Sequence, residues 1–539
     1  MRRGLIITAL LLGGCVVDEE PLGYIGGEGD DDDTAEVFTG PFEGWMAAPA
    51  PAFYSAPPPG GPESVYQSED RTNGGGASLM DYTGDGELDL VVTAPWSGSA
   101  VYAGDGEGGW TEVPNPDLAA VPMSACAVGL YLDDDDLRDL LLCGDQRVSA
   151  WKNEGGAVFS HQGDILEWTG DHPARAEDIA VTDVDGDGTL ELYVATQSLA
   201  GESPGLPGLH KDALLRHVGG FTFEDLSHLI PEEGGVGQGY ASTWVDIDGD
   251  RDLDLFSVRD RGDRITPAAL FINPGNWTDT WVDVAADWNL ALEINGMGVA
   301  QADLEGDGTL ELVSSDTYSR VHLLRIEDGT ALPMASELGA VIQDPETQVE
   351  SWAVEFVDVE NDGDLDLVAA FGRVDPLHQE QPQEAVVWRW EEGELVYDDR
   401  LDQELPGIDE AWRTVLPGDL DHDGQLELVF TSHVGNVMVQ DPTPTGNGWL
   451  RVRLEGPPGN REGLGALVRL DDGTERDLWR RVGIGGSGIH SSVDPTAHFG
   501  LGTATPRSIV VEWTDGTVTT VDAPASNQVL TIPHPLAAE

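Results

Sequence analysis

The sequence predicts an all-β protein, a long repeat array of propeller or solenoid type followed by a smaller β domain. Three observations carry this. A ten-residue acidic pattern recurs seven times, with starts at residues 81, 131, 183, 246, 303, 358 and 419, so its period is 50 to 63 residues. The segments on either side of each copy alternate apolar and polar residues with period 2. From Trp449 onward the pattern stops and a different alternating stretch begins.

The acidic pattern is the chemistry-bearing element. Its first copy reads Asp81-Tyr-Thr83-Gly-Asp85-Gly86-Glu-Leu88-Asp89-Leu90. Counted from its first residue, positions 1, 3, 5 and 9 carry oxygen ligands. These are Asp81, Thr83, Asp85 and Asp89 in loop 1, and Asp183, Asp185, Asp187 and Glu191 in loop 3. Loop 4 has Asp246, Asp248, Asp250 and Asp254, and loop 5 has Asp303, Glu305, Asp307 and Glu311. Loop 6 has Asp358, Glu360, Asp362 and Asp366, and loop 7 has Asp419, Asp421, Asp423 and Glu427. Oxygens at positions 1, 3 and 5 of a tight turn converge on one point. With a position-7 carbonyl and a position-9 carboxylate they make the hard, oxygen-only cage that Ca²⁺ favours. Without a cation such carboxylates repel one another and some take up protons. Up to about six Ca²⁺ sites are therefore expected. An EF-hand would need a bidentate Glu at position 12, where this chain has Val92, Val194, Ser257, Ser314, Ala369 or Phe430.

Positions 8 and 10 are both Leu in six of the seven copies, with the position-9 acid between them. Each loop thus reads as a β-hairpin connection, acids toward the metal and leucines toward a core. Loop 2 is degenerate. Tyr131 replaces the first Asp, Asp136 the Gly and Arg138 the Leu, so its site is expected to be weak or empty. Cys126 and Cys143 flank this loop. They read either as a cross-strand disulfide compensating for a missing ion or as two free buried thiols.

The six fuller loops resemble the FG-GAP/VCBS repeats of integrin-α-type propellers. That resemblance implies one four-stranded blade per repeat, calcium between a blade's first two strands, and a seven-bladed β-propeller over residues 60–445. The stretch Asn460-Arg-Glu-Gly463, then Ala497-His498-Phe499-Gly500-Leu501-Gly502 and Val511-Glu-Trp513-Thr-Asp-Gly516 resembles the ASPIC/UnbV domain over residues 446–533, leaving 534–539 as a tail. Thr514 stands where that family usually has Pro. Propeller plus this domain is the arrangement of the cartilage acidic protein family and its bacterial relatives. The alternation of Leu450, Val452 and Leu454, and of Ile509, Val511 and Trp513, makes the second unit a small all-β domain.

The N-terminus reads as an address. Arg2 and Arg3 precede an apolar run from Leu5 to Leu12, too short to span a bilayer, and then Leu12-Gly13-Gly14-Cys15. This resembles the lipobox of bacterial lipoproteins, which implies lipidation of Cys15 and anchoring at the envelope (outer membrane or cell surface). An ordinary export signal with an incidental Cys is the alternative. Residues 16–59, acidic and then Pro-rich, are expected to be a solvated tether.

Composition narrows the function. The 539 residues hold 99 Asp+Glu against 27 Lys+Arg, a formal charge of −72, and only two of the basic residues are lysines, Lys152 and Lys211. No basic footprint for nucleic acid or anionic lipid can be assembled. With 40% hydrophobic residues and 16 Trp the chain is too apolar to be an acidic disordered segment. Gly483-Ile-Gly485-Gly-Ser487-Gly488 matches a dinucleotide fingerprint but lacks a βαβ setting. Ser487 lacks the spacing of a nucleophile elbow, and the 12 histidines include no HExxH. Arg261-Gly262-Asp263 reads as a chance tripeptide or a surface ion pair. The expected role is a non-catalytic binding or adhesion module for an extracellular protein or glycan. A propeller lyase or hydrolase acting on polysaccharide is the alternative, which converging His, Tyr, Arg and Lys in the central channel would favour. A structural surface-layer component is a third reading.

Overall fold

The computed structural model describes residues 45–48, 75–93, 98–121, 124–169, 174–198, 209–316, 320–340, 350–372, 385–398, 412–432, 437–442, 444–474, 476–484 and 491–537. Cys15, its apolar run and the acidic segment 16–40 lie outside them, as do Gly485 to Gly488. Among the described residues, every acidic loop joins the first two strands of a four-stranded antiparallel sheet, and there are seven such sheets. In sheet 3 the strands are Ala174–Thr182, Glu191–Ser198, Ala213–Gly219 and Thr222–Asp225, each hydrogen-bonded to the next. The first strands of the others are Ala77–Met80, Ser124–Leu130, Gly239–Val245, Val299–Ala302, Ser351–Val357 and Trp412–Gly418.

These first strands pack one against the next in chain order, and that of sheet 7 packs back against that of sheet 1. The sheets therefore form a ring, with apolar cores between neighbouring sheets rather than at one centre. Val313 and Leu323 of sheet 5 pack with Leu367 and Trp388 of sheet 6. Leu79 and Leu90 of sheet 1 pack with Leu416 and Val429 of sheet 7. This placement explains the burial gradient. Glu191–Ser198, with a neighbour on both faces, is buried throughout, whereas outermost Thr222–Asp225 is largely exposed. Side-chain hydrogen bonds also tie sheets together: Thr93 Oγ1 donates to Ala125 O at 2.7 Å and Ser315 Oγ to Trp352 O at 2.9 Å.

Trp45–Ala48, inside the tether expected over 16–59, is part of a sheet. Trp45–Ala48 pairs antiparallel with Val437–Pro442 as the outer strand of sheet 7, with Trp45 opposite Pro442 and Ala48 opposite Val439. One sheet is thus built from both ends of the repeat region, which closes the ring and leaves only short outer strand edges.

Cys126 and Cys143, on the first two strands of sheet 2, form a disulfide with Cα atoms 4.8 Å apart. The bridge spans 17 residues that include the degenerate loop, so the loss of chain entropy it imposes on the unfolded state is worth about 3 kcal/mol. Replacing both cysteines with Ser is expected to lower stability by about that amount. Peptide mapping of denatured, unreduced protein that found both thiols free would remove the bridge from the account.

The C-terminal domain contains two small sheets. One joins Gly448–Glu455 antiparallel to Ala497–Gly502 and parallel to Val529–Pro533. The other orders Leu478–Arg481, Leu467–Asp471, Ser508–Glu512 and Val518–Asp522. Leu450, Val452, Leu454, Ile509, Val511 and Trp513 are all buried in the core that these sheets share. The expected tail at 534–539 begins inside the domain: His534 is buried, its backbone N–H donates to Glu455 O at 2.6 Å, and its imidazole meets Thr517 Oγ1 at 2.9 Å.

Candidate metal centres

One backbone geometry recurs in the acidic loops. The position-5 carboxylate accepts the position-7 N–H in all seven, as in Thr189 N to Asp187 at 2.7 Å and Gln425 N to Asp423 at 2.8 Å. The position-1 carboxylate of the other six accepts the position-6 N–H, as in Gly188 N to Asp183 at 3.1 Å. That turn needs a left-handed residue at position 6. Gly188 has φ +85°, and loop 4 places Arg251 there at φ +81°, a strained choice for a side-chain residue.

The position-9 acid has a second task. It is buried in all seven loops and accepts the position-2 N–H, as in Tyr82 N to Asp89 at 2.7 Å and Leu304 N to Glu311 at 2.8 Å. Where position 9 is Asp, its other oxygen is also taken by a backbone N–H from beyond the loop. Gly104 N donates to Asp89, Asn153 N to Asp139, Asn273 N to Asp254 and Trp390 N to Asp366, at 2.8–3.1 Å. Where it is Glu, the longer side chain carries its second oxygen toward the cage. Chain length at one position thus separates bracing acids from candidate ligands.

Trios with carboxylate oxygens within 4.8 Å of one another follow this division. They are Asp183, Asp185 and Glu191 in loop 3, Asp246, Asp248 and Asp250 in loop 4, and Asp419, Asp421 and Glu427 in loop 7. Asp254 is not in its loop's trio. The expected ligands of loops 1, 5 and 6 hold their places along the chain but form no such trio among the described residues. A cation fits the loop 3 set. Asp183 is fully buried, its carboxylate belongs to the trio, and its Oδ1 has no hydrogen-bond partner. Thr83 Oγ1 in loop 1 is likewise buried without a partner.

Charge clustering leaves its mark on protonation. Burial raises Glu191 to about 9, opposed by the Val184 N–H and increased by neighbouring Asp185. Burial similarly raises Asp254 and Glu311 to about 8 and Asp183 to about 6. A divalent cation in the cage would supply the missing opposite charge and displace those protons.

Loop 2 is filled from within. Lys152 Nζ, from the third strand of its sheet, pairs with Asp133 and lies 2.7 Å from Asp135. Arg216 and Arg325 reach into loops 3 and 5 in the same way, and Arg389 reaches loop 6. Reading the loops alone misses these four cations. Each follows a buried Leu or Trp on a third strand (Trp151, Leu215, Leu324, Trp388), which is the signal that could have located them.

The C-terminal domain stands on these loops. Asn460 Nδ2 and Thr514 Oγ1 donate to Asp183 Oδ2 at 3.2 and 3.1 Å, so the Thr in place of the family's Pro contacts an expected ligand. Arg451 Nη1 lies 3.1 Å from Asp419 Oδ2, and Arg476 Nη1 lies 2.8 Å from Asp364 Oδ1. Arg138 pairs across the boundary with Glu462 and Asp494. Residues 448–539 carry eight Arg against eleven acids, so the domain is close to neutral beside a strongly acidic ring.

One segment of the domain enters the ring. Ser491–Val493 adds a parallel fifth strand to the inner edge of sheet 1, and Ile484 bridges to Val181 of sheet 3. Beside it lies a cavity of about 220 Å³ lined by Thr182, Thr243, Gln301, Arg480, Arg481 and His498, among others. His498 Nε2 lies 2.7 Å from Asn361 Oδ1, and burial holds its imidazole well below the usual range. Arg480 donates to the carbonyls of His498 and Trp479, and Arg481 to that of Gly465.

Residues 132–194, 246–314 and 303–369 match the family of FG-GAP-like repeats, and residues 456–539 match the ASPIC and UnbV family. The chain thus combines FG-GAP-like repeats with a C-terminal ASPIC and UnbV domain. It is similar to cartilage acidic protein 1 of Mus musculus, at 28% identity over 382 residues, covering 66% of this chain and 54% of the relative. The Homo sapiens protein gives 28%, 66% and 53%. The chain thus spans about half the length of the curated relatives it matches. Among solved structures, the BBS1N–ARL6DN complex matches with TM-score 0.43 at 12% identity, over 74% of this chain and 98% of that one. The WD40 β-propeller domain of Doa1 matches with TM-score 0.35 at 11% identity, over 74% and 97%. No helix of the described residues is long and apolar enough to cross a membrane.

Proposed function

We propose that this protein is an exported, calcium-braced binding module, lipid-anchored at the envelope through Cys15, which engages an extracellular protein or glycan without catalysis. The observation that carries the calcium reading is the convergence of three carboxylate oxygens in loops 4 and 7, on a loop geometry repeated around the ring. Calcium would hold each cage by its carboxylates and so fix the loop face on which the C-terminal domain rests. The binding reading over the enzyme reading is supported by the cavity beside Ser491–Val493. Its histidine and arginines engage Asn361 and backbone carbonyls as structural partners, and a strand of the C-terminal domain lies along its wall.

Loops of this kind in extracellular proteins bind Ca²⁺ at about 10⁻⁴–10⁻³ M, so about 5 mM Ca²⁺ stabilises by about 1–2 kcal/mol per site. The expected result is a melting temperature that rises with Ca²⁺ and returns on chelation. A melt unmoved by chelator sinks the calcium role. Screening extracellular proteins and glycans with and without Ca²⁺ tests the binding role.

A further inference from the structure

The third strand of each sheet runs antiparallel to the second, and register sets which residue stands beside the position-9 acid. Glu191 pairs with Arg216 and Glu311 with Arg325. One residue beyond the pairs Leu140–Trp151 and Leu367–Trp388, the same register sets Asp139 beside Lys152 and Asp366 beside Arg389. In the remaining sheets it sets Asp89 beside Ala103, Asp254 beside Ile272 and Glu427 beside Asp441. The seven loops therefore fall into two groups, four with a basic residue at this position and three without.

The basic residues occupy the oxygens a metal would need. Arg216 pairs with Asp187, lies 3.4 Å from Asp185 and presents Nε to Glu191 at 3.1 Å, so it touches three of the four ligands of loop 3. Arg325 repeats this with Glu305, Asp307 and Glu311. Arg389 holds Glu360 at 3.2 Å together with Glu391 and Asp398 outside the cage. Lys152 holds Asp133 and Asp135. A guanidinium fork satisfies two carboxylates at once, whereas Ca²⁺ requires six to eight oxygens around it. A cation fixed to the neighbouring strand is always at high local concentration, while Ca²⁺ must arrive from solution and sit beside a like charge.

We propose that this register position decides which loops exchange a divalent cation: loops 2, 3, 5 and 6 are closed by the chain's own ammonium or guanidinium on the third strand, and loops 1, 4 and 7 take Ca²⁺, in loop 7 beside an Arg451 that holds one oxygen of Asp419. The inference rests on the calcium reading and sharpens it from six sites to three. In loop 3 the trio and the unpartnered Asp183 oxygen form a cage that Arg216 keeps shut.

The test is a count of Ca²⁺ per chain on the whole protein, by equilibrium dialysis and metal analysis at about 5 mM free Ca²⁺, above the range typical of such loops. Three ions are expected. Arg216→Ile and Arg325→Ile, which copy the Ile272 of loop 4, are each expected to add one ion, and Asp250→Asn to remove one. Four or more ions on the wild-type chain overturn the exclusion while leaving the calcium reading standing. A count of zero overturns the calcium reading and the exclusion with it. The wild-type count decides without any variant, so misfolding of an Arg→Ile protein does not rescue the idea.

Discussion

Replacing Arg138 with Met is expected to lower stability by about 3–5 kcal/mol and to loosen the C-terminal domain from the loop face. Arg138 occupies the position where the other loops have Leu, and it is buried. Its guanidinium pairs with Glu462, lies 3.3 Å from Asp494, and sits 5.0 Å from the centre of the Tyr131 ring. Removing one charge from such a set leaves the others buried and unpaired, which costs more than the pairing itself contributed. Arg461 also packs on Tyr131, 5.4 Å from its ring centre, and donates to Asp135 O at 2.7 Å, so two substitutions that spoil loop 2 as a cage make it a docking point. Denaturation midpoints and proteolytic release of the C-terminal segment measure the effect. The double variant with Glu462→Gln should recover part of the loss, because one stranded charge is gone. A loss under about 1 kcal/mol, the worth of an exposed pair, would show that this contact does not hold the domains together.

Raising the pH from 5 to 9 at constant Ca²⁺ is expected to destabilise the protein by several kcal/mol, the reverse of ordinary acid denaturation. Two carboxyls outside the loops, adjacent on the first strand of sheet 3, are responsible. Burial raises Glu177 to about 8 although Arg175 opposes it, and raises Asp178 to about 7 although the N–H of Ser242 opposes it. Unfolding returns both to values near 4, so between about pH 4 and 8 the folded chain binds more protons than the unfolded one. Their stabilisation is complete below the unfolded values and is lost as the pH climbs through 7 and 8. Each tenfold difference in proton affinity between the folded and unfolded chain is worth about 1.4 kcal/mol per group. Asp178→Asn, which keeps an acceptor for Ser242 N–H and cannot ionise, should flatten the step near pH 7. Stability that rises from pH 5 to 9 would contradict the assignment.

The acidic loops were legible because a local turn repeats its own chemistry. Gly at position 6, leucines at 8 and 10, and acids at 1, 3 and 5 all act within ten residues, and the structure forms the same turn from each. The two roles of position 9 were not legible. Whether an acid there braces the loop or faces the cage depends on one methylene and on a backbone N–H from a different strand. Lys152, Arg216, Arg325 and Arg389 lie 13 to 25 residues beyond the acids they stand beside, because the hairpins between second and third strands differ in length. A spacing that varies leaves no motif.

Taken alone, the sequence determined the β class, the repeat, the excess of acid and its concentration in turns, since these depend on composition, on period-2 alternation and on a ten-residue pattern that recurs every 50 to 63 residues. Tertiary structure decided what closes the ring, where the second domain stands and which acids already have a cation. Trp45–Ala48 pairs with a strand almost four hundred residues later, and Asp183 meets Asn460 and Thr514. Such partners are chosen by register and by packing between sheets, which no local pattern encodes.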